Sequence, residues 1–157
     1  MKKEYKMDIG SGNGWPSSAL SNFAAHPFEI DGVKCNSMEG FLQSLKFSNP
    51  EMQKEVCLLV GKAAKFKGKK KKWWRTQTLF WQDEEFERES EEYQLLLDRA
   101  YEALAQNSGF RQALVMTGNA TLTHSIGKTK KSETVLTRQE FCSRLMNLRE
   151  RIKKGEI

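Results

Sequence analysis

Apolar and polar residues alternate along Phe28-Glu29-Ile30 and again along Val33-Lys34-Cys35, on either side of Asp31-Gly32. That period lays one face of an extended chain on a core, and Asp-Gly between two such runs is a strong hairpin signal. A short β-hairpin is predicted there. The period then lengthens. From Asn36-Ser37-Met38-Glu39 onward, Met38, Phe41, Leu42 and Leu45 recur at i, i+3, i+4 and i+7, which predicts a helix with this face in the core. Glu39, Gln43 and Lys46 keep the same spacing on another face, as one polar stripe. Asn49-Pro50-Glu51 reads as an N-cap, a proline at the first helical position and an acid at the positive end of the helix dipole. Met52, Val56, Leu59 and Val60 then form the buried side, and Gly61 ends or kinks the helix.

Residues 84–106 read as one long amphipathic helix, with Tyr93, Leu96, Leu97, Ala100, Tyr101 and Leu104 inward. A shorter helix over about Phe110–Met116 stops near Gly118, and residues 119–125 are extended and polar. Thr137-Arg138-Gln139-Glu140 is a capping box before a last helix burying Phe141, Leu145, Leu148 and Ile152. The fold class is therefore mainly α with a small β element, an α+β domain carrying a short N-terminal hairpin.

Length and composition agree with that reading. A chain of 157 residues with 38% hydrophobic and 29% charged side chains fits one domain over residues 1–157 with a sizeable core. The basic start, Met1 to Lys6, lacks an apolar region after it, and no stretch has the length of a membrane span. Cys35, Cys57 and Cys142 are odd in number and set among apolar residues, so they read as reduced core thiols and point to a cytoplasmic protein. A formal charge of +6 favours anionic partners, with phosphate-bearing ligands and nucleic acid both open.

The chemistry available is narrow. His26 and His124 are the two imidazoles, and neither is spaced with cysteines or carboxylates as a metal ligand would be, so no metal site and no cofactor are expected. The glycines of Gly10 to Pro16 lack the strand-then-helix setting of a dinucleotide cradle and read as a plain loop. Glu39 has two readings: a capping-box partner reaching back to Asn36, or a carboxylate facing a cleft with Gln43 and Lys46 behind it. The basic tract from Lys62 to Arg75 also has two: a nucleic-acid surface using Trp73 and Trp74, or a solvated face over buried indoles. If this region is helical, Trp74 and Trp81 share one stripe. His124, between Thr123 and Ser125, reads as a hydrogen-bonded structural residue or a member of the site.

These residues together resemble a known family. Ser21-Asn22-Phe23, Asp31-Gly32 and Ser37-Met38-Glu39 running on through Gln43 to Lys46-Phe47 are similar to the opening of the NADAR domains, the YbiA-like N-glycosidases. Gly61 to Lys65 resembles their G-x-x-A-K element, and Leu145-Met146-Asn147-Leu148-Arg149 their closing L-M-x-x-R. The resemblance implies a multihelical fold and hydrolysis of N-glycosidic bonds without a metal, with ADP-ribose on guanine as substrate, free or in nucleic acid. Ribosylamino intermediates of riboflavin synthesis are the alternative, as is a non-enzymatic binding module. It also implies roles: Glu39 catalytic, and Ser21, Asn22, Phe23, Gln43, Lys46, Lys65, Trp73 or Trp74, Thr123 and His124 substrate-binding. The late loop departs from the pattern. Where YbiA-like members carry D-x-W-G, residues 127–133 hold neither aspartate nor tryptophan; Glu133 is the acid available there.

Overall fold

The computed structural model describes residues 5–157; the basic start over residues 1–4 lies outside them. The predicted hairpin is β2 (Phe28–Ile30) paired antiparallel with β3 (Val33–Cys35). Asp31 and Gly32 both take positive φ, 49° and 80°, as a two-residue turn between right-twisted strands requires. The Asp31 carboxylate is tied to the body of the protein, accepting from Trp81 Nε1 at 2.8 Å and from Arg99 at 2.8 Å.

Helix α2 (Met38–Ser44) follows, with Met38, Phe41, Leu42 and Leu45 buried as their spacing predicts. Its cap is Ser37, not Asn36: Ser37 Oγ accepts from Gly40 N at 3.0 Å and donates to Leu59 O at 2.9 Å. The Asn36 N–H is already spent on Cys57 O, so Glu39 closes no capping box and its side chain is left for other work. Gly40 permits a close crossing. A Cβ there would lie 2.7 Å from Leu59 O and 2.9 Å from Cys57 O.

Helix α3 (Pro50–Cys57) is capped by Asn49 as expected, but it buries Gln53, Val56 and Cys57, while Met52, Leu59 and Val60 are only partly covered. Gly61 does not end this helix; with φ of 57° it opens α4 (Gly61–Lys69), whose inward positions are Ala64 and Gly68. A 3₁₀ turn over Trp73–Arg75 leads to a second hairpin, β4 (Thr78–Trp81) with β5 (Glu84–Glu87). Here the prediction of one helix from residue 84 fails: α5 spans Glu91–Leu104 and starts at the Ser90 cap. The acidic residues of β5 favour helix weakly, but pairing with β4 buries Leu79, Trp81 and Phe86, and burial decides. Trp81 is thus on a strand and shares no helical stripe with Trp74.

The inward face of α5 is the predicted one. Helix α6 (Ser108–Met116) ends before Gly118, at φ 61°, and α7 (Arg138–Lys153) starts at the Thr137–Glu140 capping box, with Ile152 partly exposed. β1 (Lys6–Asp8) lies parallel to β6 (Thr121–Thr123), joining an early segment to one that precedes α7. A four-residue helix, α1 (Ser17–Leu20), follows the glycine loop where none was expected. Among the described residues there are seven helices and three two-stranded sheets, so the class is α+β with more β pairing than a lone hairpin. No described helix is long and apolar enough to cross a membrane. All three cysteines are buried and free.

Candidate active site

A cavity of about 520 Å³ opens where α2, α4, the loop after β6 and the segment before α7 converge. Ser21, Asn22, Phe23, Glu39, Gln43, Lys46, Lys65, Trp73 and His124 all line it. Two sequence candidates do not. Trp74 is about half exposed on the outer surface beneath the Arg75 guanidinium, and Thr123 donates to the Asp8 carboxylate at 3.0 Å on the edge of the β1/β6 pair. Trp73 is the indole turned inward, 7% exposed.

Glu39 stands in the first turn of α2, and its backbone N–H donates to Asn22 O at 2.9 Å, fastening the S-N-F segment to the helix. One helical turn on, Gln43 Nε2 donates to Glu39 Oε1 at 2.8 Å, the i,i+4 contact the stripe predicts. Gln43 Oε1 faces α4 with no hydrogen-bond partner, against Gly68, where a Cβ would come within 1.8 Å of it. Asn22 is fixed in turn: Tyr101 Oη, fully buried on α5, donates to Asn22 Oδ1 at 2.7 Å. That leaves the Asn22 amide N–H groups for the cavity.

Burial pushes the Glu39 carboxyl above the usual carboxylate range, against the pull of the Gln43 bond and of Lys46, Lys65 and His124. Burial also lowers Lys46; Glu39 opposes that shift, and the like charges of Lys128 and Lys65 add to it. One enclosed carboxylate, Glu39, therefore lies among lysines, with Glu133 exposed at the cavity edge. Such a site can hold phosphate on its cationic side and stabilise or deprotonate a group beside the carboxylate.

The rear wall is held by a buried ion pair. Arg88 donates to both Glu140 oxygens, at 3.1 and 2.6 Å, and to Thr134 O at 2.8 Å, while Tyr93 Oη donates to Val135 O at 2.6 Å. Thr134, Val135 and Leu136 line the cavity and are placed by these contacts.

Residues 14–150 match the family described as bacteriophage protein GP30.3. The chain belongs to the GP30.3 family. An uncharacterised 17.1 kDa protein in the Gp30-rIII intergenic region of Enterobacteria phage T4 is 42% identical over 150 residues, 92% of this chain and 97% of that protein. The GP30.3 chain also has a YbiA-like fold: the NMR structure of the E. coli protein YbiA aligns over 99% of this chain and 89% of its own, with a TM-score of 0.67 at 18% identity.

In this GP30.3-family chain several cavity residues escaped sequence reasoning. Lys69 lies one helical turn beyond Lys65, a spacing that could have revealed it. Ser11, Ile126, Lys128 and Phe141 come from segments that only the β1/β6 pairing and α7 bring to α2, so no local pattern marks them. Glu133, the acid of the late loop, lines the cavity but is exposed at its edge. His26 stays outside, its Nε2 2.7 Å from Ala19 O and its ring edge-on to Phe110. Among the described residues no cluster of His, Cys, Asp or Glu could hold a metal ion.

Proposed function

We propose that this chain is an N-glycosidase that hydrolyses the bond between a ribose carbon and a base nitrogen, with ADP-ribose on guanine as its substrate. The observation that carries the reading is Glu39: a carboxylate held by Gln43 inside a cavity where Lys46, Lys65 and His124 act on it. Scission of a ribosyl–nitrogen bond builds positive charge on the sugar, which an adjacent anion stabilises, and the attacking water must lose a proton, which the same carboxylate can take. Lys46 and Lys65 are suited to the pyrophosphate, and the Trp73 indole offers a flat apolar wall for a base. The YbiA-like fold and the resemblance to NADAR domains support the same chemistry. Buried free thiols fit a reaction run in a reducing compartment.

The test is incubation with ADP-ribosylated guanosine followed by chromatography. Free ADP-ribose is the expected product, and Glu39→Gln should fold yet lose roughly 10²–10⁴-fold in turnover. Wild-type turnover in that variant overturns the assignment.

One feature favours a second reading, a non-enzymatic binder of nucleic acid. Trp74 is exposed beside Arg75 and the lysines that α4 and its C-terminal extension turn outward. Retention of unchanged substrate, with affinity falling steeply as salt rises, would support the binder over the enzyme.

A further inference from the structure

The loop after β6 fixes one histidine against a backbone carbonyl. His124 Nδ1 lies 2.7 Å from Ile9 O, and a carbonyl only accepts, so Nδ1 carries a hydrogen. The ring stands edge-on to Phe141 with centroids 5.0 Å apart, and its Cδ2 edge packs against Gly127, where a Cβ would come within 2.5 Å. Three sides of the imidazole are thereby engaged. Nε2 has no hydrogen-bond partner among the described residues and is not among their enclosed unpartnered atoms, so it opens on the cavity that His124 lines. With Nδ1 committed, the one proton this ring can gain or lose is on Nε2.

We infer that His124 is the general acid of the reaction, delivering its Nε2 proton to the nitrogen of the departing base. The inference rests on the N-glycosidase reading and supplies what Glu39 alone cannot. As the bond between the anomeric carbon of the terminal ribose of ADP-ribose and the guanine nitrogen breaks, its electron pair goes to that nitrogen, which takes the proton from Nε2. Water bonds to the anomeric carbon and gives a proton to Glu39. The products are guanosine and ADP-ribose, and solvent returns the Glu39 proton to His124. Each atom is accounted for and no oxidant or reductant is needed.

The carboxylates that act on the ring are Glu39 from α2 and Asp8 from β1; Lys46 in the turn after α2, Lys65 from α4 and Lys128 in its own loop share the cavity, and Arg138 from α7 donates to Gly127 O. Glu133, at the cavity edge, is exposed to solvent and has no such anchoring.

The experiment compares ADP-ribosylated guanosine with its N7-methylated counterpart, whose cationic purine departs without taking up a proton. In the wild type, kcat on the first substrate should fall on the alkaline side while kcat on the second does not. His124→Gln keeps an amide donor for Ile9 O, and His124→Phe keeps the stack on Phe141. Both should lose about 100-fold or more on the first substrate and less than 10-fold on the second. Equal losses on both substrates, or an alkaline limb shared by both in the wild type, overturn the general-acid role and leave the N-glycosidase reading standing. A wild type that cleaves neither substrate overturns both.

Discussion

Burial disfavours the charged form of Glu39 in the folded chain. Because burial raises its pKa, the folded protein holds the Glu39 proton more tightly than the unfolded chain does. Stability from this group is therefore full below the unfolded value and is lost as pH rises through the higher folded one. Glu39→Gln removes that titration while keeping an oxygen for Gln43 Nε2. Its melting temperature should exceed the wild type's at pH 8, with the difference shrinking toward pH 4; a lower value at pH 8 contradicts the burial argument. Gly68 gives a second test at this scale. A methyl group there meets Gln43 Oε1 at 1.8 Å, so Gly68→Ala should push the amide off Glu39 and lower kcat at least about 10-fold, with a stability loss of about 1–3 kcal/mol. Adding Gln43→Ala should restore the stability in urea unfolding without restoring kcat. Glu39 and Gln43 were legible in the sequence because helical spacing puts them on one face; Lys46, read as the next position of that stripe, lies in the turn just past the helix and still lines the cavity. The empty space at Gly68 was not legible, since it depends on where α4 lands.

Elements place the site's walls, and one ion pair couples two of them. Arg88 lies at the end of β5, where the chain turns into α5, and Glu140 lies in the first turn of α7, where it also closes the capping box with Thr137. Burial acts to raise Glu140, but Arg88, the Thr137 N–H and Gln94 outweigh it and bring the carboxyl down to about 2. A depressed folded value means that stability from Glu140 is present above its unfolded value and is lost as pH falls from there to about 2. Acid unfolding should show this loss, and Arg88→Met should flatten it while costing about 3–5 kcal/mol at pH 7, since it leaves a buried carboxylate unpaired. If Arg88→Met unfolds at the wild-type urea midpoint, the pair is not what holds residues 134–136 against the cavity. The sequence revealed the capping box but not Arg88 as its partner. With residues 84–106 read as one helix, Arg88 fell on the solvated face, and only the β4/β5 pairing turns it inward.

At the scale of the whole molecule, the charge of +6 matters through its placement. Lys46, Lys65, Lys69 and Lys128 reach one cavity from the turn after α2, from α4 and from the late loop, while much of the remaining basic tract faces outward along α4. The composition favours an anionic partner, and these lysines converge on a space of about 520 Å³, the size the proposed nucleotide-like ligand needs. ADP-ribose, as the product of the proposed reaction, should therefore bind the folded chain alone and raise its melting temperature. At a hundred times the dissociation constant the gain is about 2.7 kcal/mol, or roughly 5–10 °C for a chain of this length. Lys46→Ala and Lys65→Ala should each reduce the shift, whereas Trp74→Ala, on the outer surface, should leave it intact. Salt separates the two readings of the basic tract. Two phosphates in a recessed site release few counterions, so the shift should weaken only modestly between 50 and 200 mM salt, whereas a polynucleotide track along α4 would lose about 10³-fold or more in affinity. A shift that Trp74→Ala abolishes, or one that collapses over that salt range, would move the ligand from the cavity to the outer face and take the catalytic reading of Glu39 with it.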